Sequence, residues 1–160
     1  MKNIVLLLSF AVSVALAQKS PTERLTVFYF GGSDCPYSTD EKNIANIDRM
    51  RTALSGRHNQ IPFKFVMVVM DKDVDRGVLF VKKYKPWDEL SIGQFYHNEL
   101  MLEHVNRSPI PGVPHIMIYR DSLVVGQHNI PTIKQRKLLI DLVGESAIST
   151  WIQSDYPIKW

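Results

Sequence analysis

Thr26-Val27-Phe28-Tyr29-Phe30-Gly31-Gly32-Ser33-Asp34-Cys35-Pro36-Tyr37-Ser38 is the stretch whose reading decides the fold. It opens with five β-branched or aromatic residues, the composition of a buried strand. Gly31-Gly32 is a turn signal. Ser33 or Asp34 can cap a following helix, and Pro36 suits its first turn, where a missing N–H costs little. Strand, turn and helix together place Cys35, the only cysteine in 160 residues, at a helix N-terminus. Backbone N–H groups and the helix dipole favour a thiolate there, and the thiolate is the reactive form. A lone cysteine can also be a small buried hydrophobe. The cap, the proline and the preceding strand favour an accessible thiol.

Upstream, residues 1–17 have the three parts of a secretory signal peptide. Lys2 is the positive start, Ile4 to Ala15 the apolar centre, and Ala15-Leu16-Ala17 an A-x-A cleavage site. An uncleaved anchor is the alternative, but the apolar run is shorter than the roughly 20 residues that a spanning helix needs. The mature chain is expected to begin at Gln18. Residues 18–160 then form one domain, long enough for a real core, with no stable membrane span. Export to the periplasm or the outside means an oxidising environment. A single cysteine there cannot close an internal disulfide. It is a free reactive thiol, or it pairs with another molecule. The formal charge is +3, with lysine and arginine dispersed and often beside acids. That pattern describes a mixed solvated surface, and no nucleic-acid partner is expected.

Downstream, Ile44, Ile47 and Leu54 beside Met50 form the apolar face of a helix from about Pro36 to Leu54, stopped by Gly56. Phe63 to Met70 reads as a central strand covered on both faces. Asp71 and Asp73 follow it. They could hold a metal, but Lys72 and Asp75 fit a charged loop that caps a helix starting near Val74. Between Val74 and Ser108 the pattern predicts a helix to Tyr84, a break at Pro86 and a second helix from Gly93 to Val105. Phe80, Tyr84, Trp87, Phe95 and Tyr96 could line a partner groove, and core is the better account. His97 and His104 share a face if that second helix is continuous. No cysteine or clear acidic ligand accompanies them, so no metal is expected. Ile116 to Tyr119 and Leu123 to Gly126 read as a hairpin turning at Arg120-Asp121-Ser122. Leu138, Leu139, Leu142 and Val143 form the stripe of a closing helix from Thr132 to Trp151. The order βα, βα with an insertion, then ββα predicts an α/β fold. Its central mixed sheet is flanked by helices on both faces, with a helical insertion at about 74–108.

Cys35-Pro36-Tyr37-Ser38 resembles the C-P-Y-C or C-P-Y-S active-site box of glutaredoxin-like members of the thioredoxin superfamily. Pro111-Gly112-Val113-Pro114-His115-Ile116-Met117-Ile118-Tyr119 is similar to the thioredoxin pattern of glycine, β-branched residue, cis-proline and apolar strand. The two stretches occur in family order, and the resemblance runs from about Leu25 to Trp151. The long middle connection, with Trp87, resembles the extracytoplasmic TlpA/ResA branch. The resemblance implies a thioredoxin-like fold with Cys35 as nucleophile and Ser38 at the position of the resolving cysteine. It places Pro36 and Tyr37 in the substrate-facing box, Pro114 as a cis-proline against Cys35, and Val113 as the residue whose backbone pairs with an extended substrate.

The departures from that pattern restrict the chemistry. Ser38 cannot release a mixed disulfide by intramolecular attack, though its hydroxyl can donate a hydrogen bond to a Cys35 thiolate. Asp34 stands where thioredoxins carry tryptophan, and its charge opposes a thiolate unless it is spent on capping. Tyr29 occupies the place of the buried proton-transfer acid. Arg120-Asp121-Ser122-Leu123 replaces the signature that holds glutathione. The expectation is therefore monothiol thiol–disulfide exchange with extracytoplasmic protein or small-molecule thiols and disulfides, without a cofactor. The alternative is a non-catalytic protein-binding module on the same scaffold, using the Pro114 groove and the 74–108 insertion.

Overall fold

The computed structural model describes residues 22–126, 128 and 130–160. The signal peptide expected at residues 1–17 lies outside the described residues. Strand β1 (Glu23–Gly31) is the centre of the molecule, and Leu25 to Gly31 are all buried. It pairs in parallel with β2 (Phe63–Val69), Leu25 opposite Phe63 and Gly31 opposite Val69. On its other side it pairs antiparallel with β4 (His115–Val125), from Glu23 opposite Ser122 to Phe30 opposite His115. β3 (Glu89–Ile92) adds to β2 in parallel, and β5 (Pro131–Val143) adds to β4 antiparallel. The sheet order is β3-β2-β1-β4-β5. Helices α1 (Pro36–Thr39) and α2 (Glu41–Arg57) link β1 to β2. After α3 (Val74–Val81) and β3, α4 (Glu99–Glu103) leads to β4, and α5 (Gly144–Gln153) follows the β4–β5 hairpin. This strand order and these crossovers make a thioredoxin-like fold.

Alternation along β1 builds two cores. Leu25, Val27 and Tyr29 meet Ile47, Met50 and Leu54 of α2, Phe80 of α3, and Ile148 and Trp151 of α5. Phe28 and Phe30 face the other way, towards Val66, Val68, Met101, Val105 and Met117. Phe80 and Tyr84 are buried, Trp87 packs on the first core, and Tyr96 is exposed. Among the described residues no helix is long and apolar enough to cross a membrane.

Several boundaries differ from expectation. The helix expected over 36–54 breaks at Asp40, which is extended at φ −64°, ψ 129° and accepts a hydrogen bond from the Asn43 N–H at 3.0 Å. That capping bond starts α2 as a separate helix. The insertion is not purely helical. Its segment Glu89–Ile92 is a short, half-exposed strand, too brief for a periodicity to show. No single helix spans 93–105. Single 3-10 turns at Phe95–His97 and Val105–Arg107 flank α4, which Asn98 caps, so His97 and His104 do not share a helix face.

The largest correction is at the C-terminal hairpin. Arg120-Asp121-Ser122 is strand interior, not a turn. Asp121 is fully buried, opposite Arg136 in the β4–β5 register. Its carboxylate accepts hydrogen bonds from Thr26 Oγ1 at 2.7 Å, from Arg24 Nε at 3.2 Å, and from Arg136 Nε and Nη2 at 2.7 and 3.0 Å. The stretch from Thr132 is the edge strand β5 rather than a helix, and Leu138 pairs with Tyr119. The closing helix begins only at Gly144. At φ +82° this residue turns the strand into α5, a conformation that glycine adopts without steric cost.

Candidate functional site

At the end of β1 the chain turns over Gly32, and the Cys35 N–H closes the turn on the Gly32 carbonyl at 3.2 Å. A side chain at position 32 would come within 2.7 Å of Met70, so only glycine lets the turn lie against the end of β2. Cys35 itself is the N-cap of α1, with no side-chain capping bond. Neither Ser33 nor Asp34 caps, contrary to expectation. Ser33 donates its N–H to Asp71 Oδ2 at 2.9 Å and its hydroxyl to Asp71 Oδ1. Asp34 is held by Arg76 Nη2, which also donates to Ser33 Oγ at 3.0 Å. α1 is only four residues long, so the dipole behind Cys35 is that of one turn. The two acids after β2 have separate tasks. Asp71 is buried against Ser33, and Asp73 caps α3 by accepting the N–H groups of Asp75 and Arg76. Among the described residues no three His, Cys, Asp or Glu side chains gather as metal ligands would.

Cys35 is half-buried, and its Sγ lies 3.6 Å from the carbonyl oxygen of Val113. The Val113–Pro114 peptide bond is cis. A cleft of about 180 Å³ opens here, lined by Asp34, Cys35, Met70, Asp71 and Val113 among others. Cys35 and Val113 are thus brought together. Pro36 and Tyr37 are exposed and Pro114 is buried.

Ser38 takes a different place from the one expected. It is fully buried, and its Oγ has no hydrogen-bond partner among the described residues, so it makes no bond to Cys35. Its side chain turns inward beside Gly31, where an added Cβ would lie 3.1 Å from Ser38 Oγ. Its carbonyl accepts a hydrogen bond from the Tyr84 hydroxyl at 2.7 Å. Tyr84 accepts in turn from Tyr29 at 3.1 Å, and Tyr29 accepts from Asn43 Nδ2 at 3.0 Å. Burial pushes both tyrosines above their ordinary values, so both stay protonated at neutral pH. Tyr29 thus ties α2 to the sheet directly and α1 through Tyr84.

Behind Pro114, His115 is fully buried and its Nε2 bonds the Asp141 carboxylate, which also accepts from Ser108 Oγ at 3.1 Å. The Pro114 carbonyl accepts the Gly144 N–H at 2.8 Å. On the same face His104 packs tilted against Phe28, ring centroids 4.4 Å apart, with Nδ1 3.1 Å from the Tyr119 hydroxyl. Burial, with Arg136 and Arg107 nearby and Glu103 opposing, pulls the His104 pKa down to about 4. Sequence reasoning missed Asp71, Arg76, His115 and Asp141 as parts of the site. Asp71 read as a loop charge, Arg76 fell unremarked in the helix expected from Val74, and Asp141 lay in what looked like a helix. Only the fold brings these residues beside Cys35 and Pro114.

No protein-family model matches the chain, and no curated protein matches it in sequence. Tryparedoxin I from Leishmania major is similar in structure over 82% of this chain and 74% of its own, at 13% identity and a TM-score of 0.47. A thiol-disulfide oxidoreductase from Bacteroides fragilis NCTC 9343 is similar over 82% of this chain and 80% of its own, at 16% identity and a TM-score of 0.47. The fold assignment rests on the strand order and crossovers described above.

Proposed function

We propose that this chain is an exported monothiol protein of thiol–disulfide exchange, with Cys35 as its reacting residue. One observation carries the reading: the only thiol sits at the mouth of a cleft, 3.6 Å from the Val113 carbonyl. In the reaction, Cys35 loses its proton and its thiolate attacks a partner disulfide R–S–S–R′. The Cys35–S–S–R bond forms, the S–S bond of the partner breaks, and R′–S⁻ leaves and takes up a proton. The Val113 backbone offers hydrogen bonds to an extended partner, and exposed Pro36 and Tyr37 give it an apolar rim. The partners are extracytoplasmic protein or small-molecule thiols and disulfides. With no second cysteine in the chain, release of R falls to an external thiol.

The test compares wild type, Cys35→Ala and Ser38→Cys on non-reducing gels and in a disulfide-reduction assay. Wild type is expected to accumulate mixed disulfides, and Cys35→Ala to accumulate none. Ser38→Cys should shed its trapped partners and gain reductase activity, because it restores a second thiol one helical turn from the first. If wild type traps nothing and Ser38→Cys is no more active than Cys35→Ala, exchange is refuted and a protein-binding module on the same scaffold is the surviving reading. Export is tested by the intact mass of the protein recovered outside the cytoplasm. A mass that retains residues 1–17 overturns cleavage before Gln18.

A further inference from the structure

Two carboxylates lie on the lip of the Cys35 cleft, Asp34 and Asp71. A negative charge beside a thiol disfavours its thiolate. Among the described residues one cation touches this group. Arg76 Nη2 bonds the Asp34 carboxylate and donates to Ser33 Oγ at 3.0 Å, and Ser33 in turn bonds Asp71 through both its N–H and its hydroxyl. A single guanidinium nitrogen therefore holds the two residues that precede Cys35.

The base of this arm is fixed. The Arg76 N–H is bonded to the Asp73 cap at 3.3 Å. The next residue, Gly77, lies so close to β3 that a Cβ there would collide with the Ile92 side chain. α3 is thereby seated with Arg76 over the Gly32–Cys35 turn. Stability does not account for the arrangement. The Arg76 and Asp34 side chains are 53% and 79% exposed, and exposed ion pairs contribute little to folding.

We propose that Arg76 is a positioning residue for Cys35: by holding Asp34 and Ser33 it keeps the neighbouring carboxylate screened and turned from the sulfur, and so sets how readily the thiolate forms. The proposal rests on the reading of Cys35 as the exchange residue. The other groups around the thiol leave this role to Arg76. Asp40, at the far end of α1, is spent on capping α2, and Asp73 on capping α3. The hydroxyls of Tyr29 on β1 and Tyr84 beyond α3 are protonated and bonded to each other. On the β4 side His115 is engaged by Asp141.

The experiment is the pH profile of Cys35 alkylation by iodoacetamide, a neutral reagent, on the full folded chain. Arg76→Gln should move the midpoint up and slow alkylation at pH 7 roughly 2- to 3-fold, the scale of the Asp34 unit charge released several ångströms from the sulfur in a water-like medium. Arg76→Lys should recover most of the rate. In an Asp34→Asn background the Arg76→Gln effect should shrink to within error, because the carboxylate through which Arg76 acts is gone. The melting temperature should not move in any of these variants, which separates the role from a merely structural one. An unchanged midpoint in Arg76→Gln overturns the proposal. So does an equal slowing with and without Asp34, which would be a plain loss of positive charge. Alkylation needs no disulfide partner. A chain that traps no mixed disulfide yet shows this pattern loses the exchange reading and keeps the control by Arg76.

Discussion

The two faces of the sheet are closed by unlike means. The face of Leu25, Val27 and Tyr29 is covered by α2, 17 residues long, together with α3 and α5. The face of Phe28 and Phe30 is covered by the five residues of α4 and the 3-10 turns beside it, and it takes in the buried histidines 104 and 115. One face supplies packing, and the other fastens the Pro114 loop with polar bonds. A rigid side and a polar side thus meet at the Cys35 cleft, α1 supported by the first and Val113 by the second.

Two methionines give a matched test, since Met50 in α2 and Met101 in α4 are both fully buried. Truncating a buried methionine to alanine costs about 2–5 kcal/mol, depending on how far the site can collapse. Met50→Ala should fall in the upper half of that range, because three helices hold its surroundings in place. Met101→Ala should fall in the lower half, because a five-residue helix between two turns can settle into the gap. Urea unfolding at one pH measures both. Equal costs, or a larger one at Met101, would break the distinction between the faces.

A second, smaller effect depends on pH and belongs to the polar face. His104 has a folded pKa of about 4, below its ordinary value of 6.5, so the unfolded chain binds the proton more tightly. Its contribution to stability is complete above about pH 6.5 and is lost as the pH falls from there towards about 4. Asp121 follows at lower pH. Burial raises its pKa, but the hydrogen bonds and charge of Arg136, with Thr26 and Arg24, outweigh that and hold it below the usual carboxylate range. Melting temperature recorded from pH 8 to pH 4 should decline first through the His104 window, and His104→Gln should flatten that part of the curve. An unaltered slope in the variant would remove His104 from the account.

The smallest expected effect is at Ser38. Its buried hydroxyl has no partner among the described residues, and an unsatisfied buried polar group costs stability. Ser38→Ala should be neutral or slightly stabilising, and it should leave Cys35 alkylation unchanged. A marked loss of alkylation in that variant would show a Ser38–Cys35 hydrogen bond forming in solution.

The packed face was the more legible one in the sequence. β1, the Gly31-Gly32 turn and β2 show as apolar runs bounded by turn residues, and the apolar stripe of α2 repeats at helical spacing. The C-terminal hairpin was misread because its order depends on partners far along the chain. Asp121 looks like a turn residue until Thr26, Arg24 and Arg136 surround it. Lys137 to Val143 carries good helix formers and a helical stripe, yet pairing with β4 overrides that propensity. At the site, Cys35, Val113 and Pro114 could be named from their local motifs. The inward turn of Ser38 could not, because it depends on Tyr29, Tyr84 and Gly31 packing around it. The Arg76 contact was equally hidden, since it exists only once α3 is seated on the sheet.

The thiol and the carbonyl beside it are 78 positions apart in the chain. In the time frame of protein synthesis that separation is a delay. At about 5–20 residues per second, the stretch that carries Val113 follows Cys35 by roughly 4–16 seconds. Throughout that interval the sulfur has neither its complete cleft nor the Val113 carbonyl beside it. The geometry around the sulfur is therefore absent from the nascent chain until Val113 has been made.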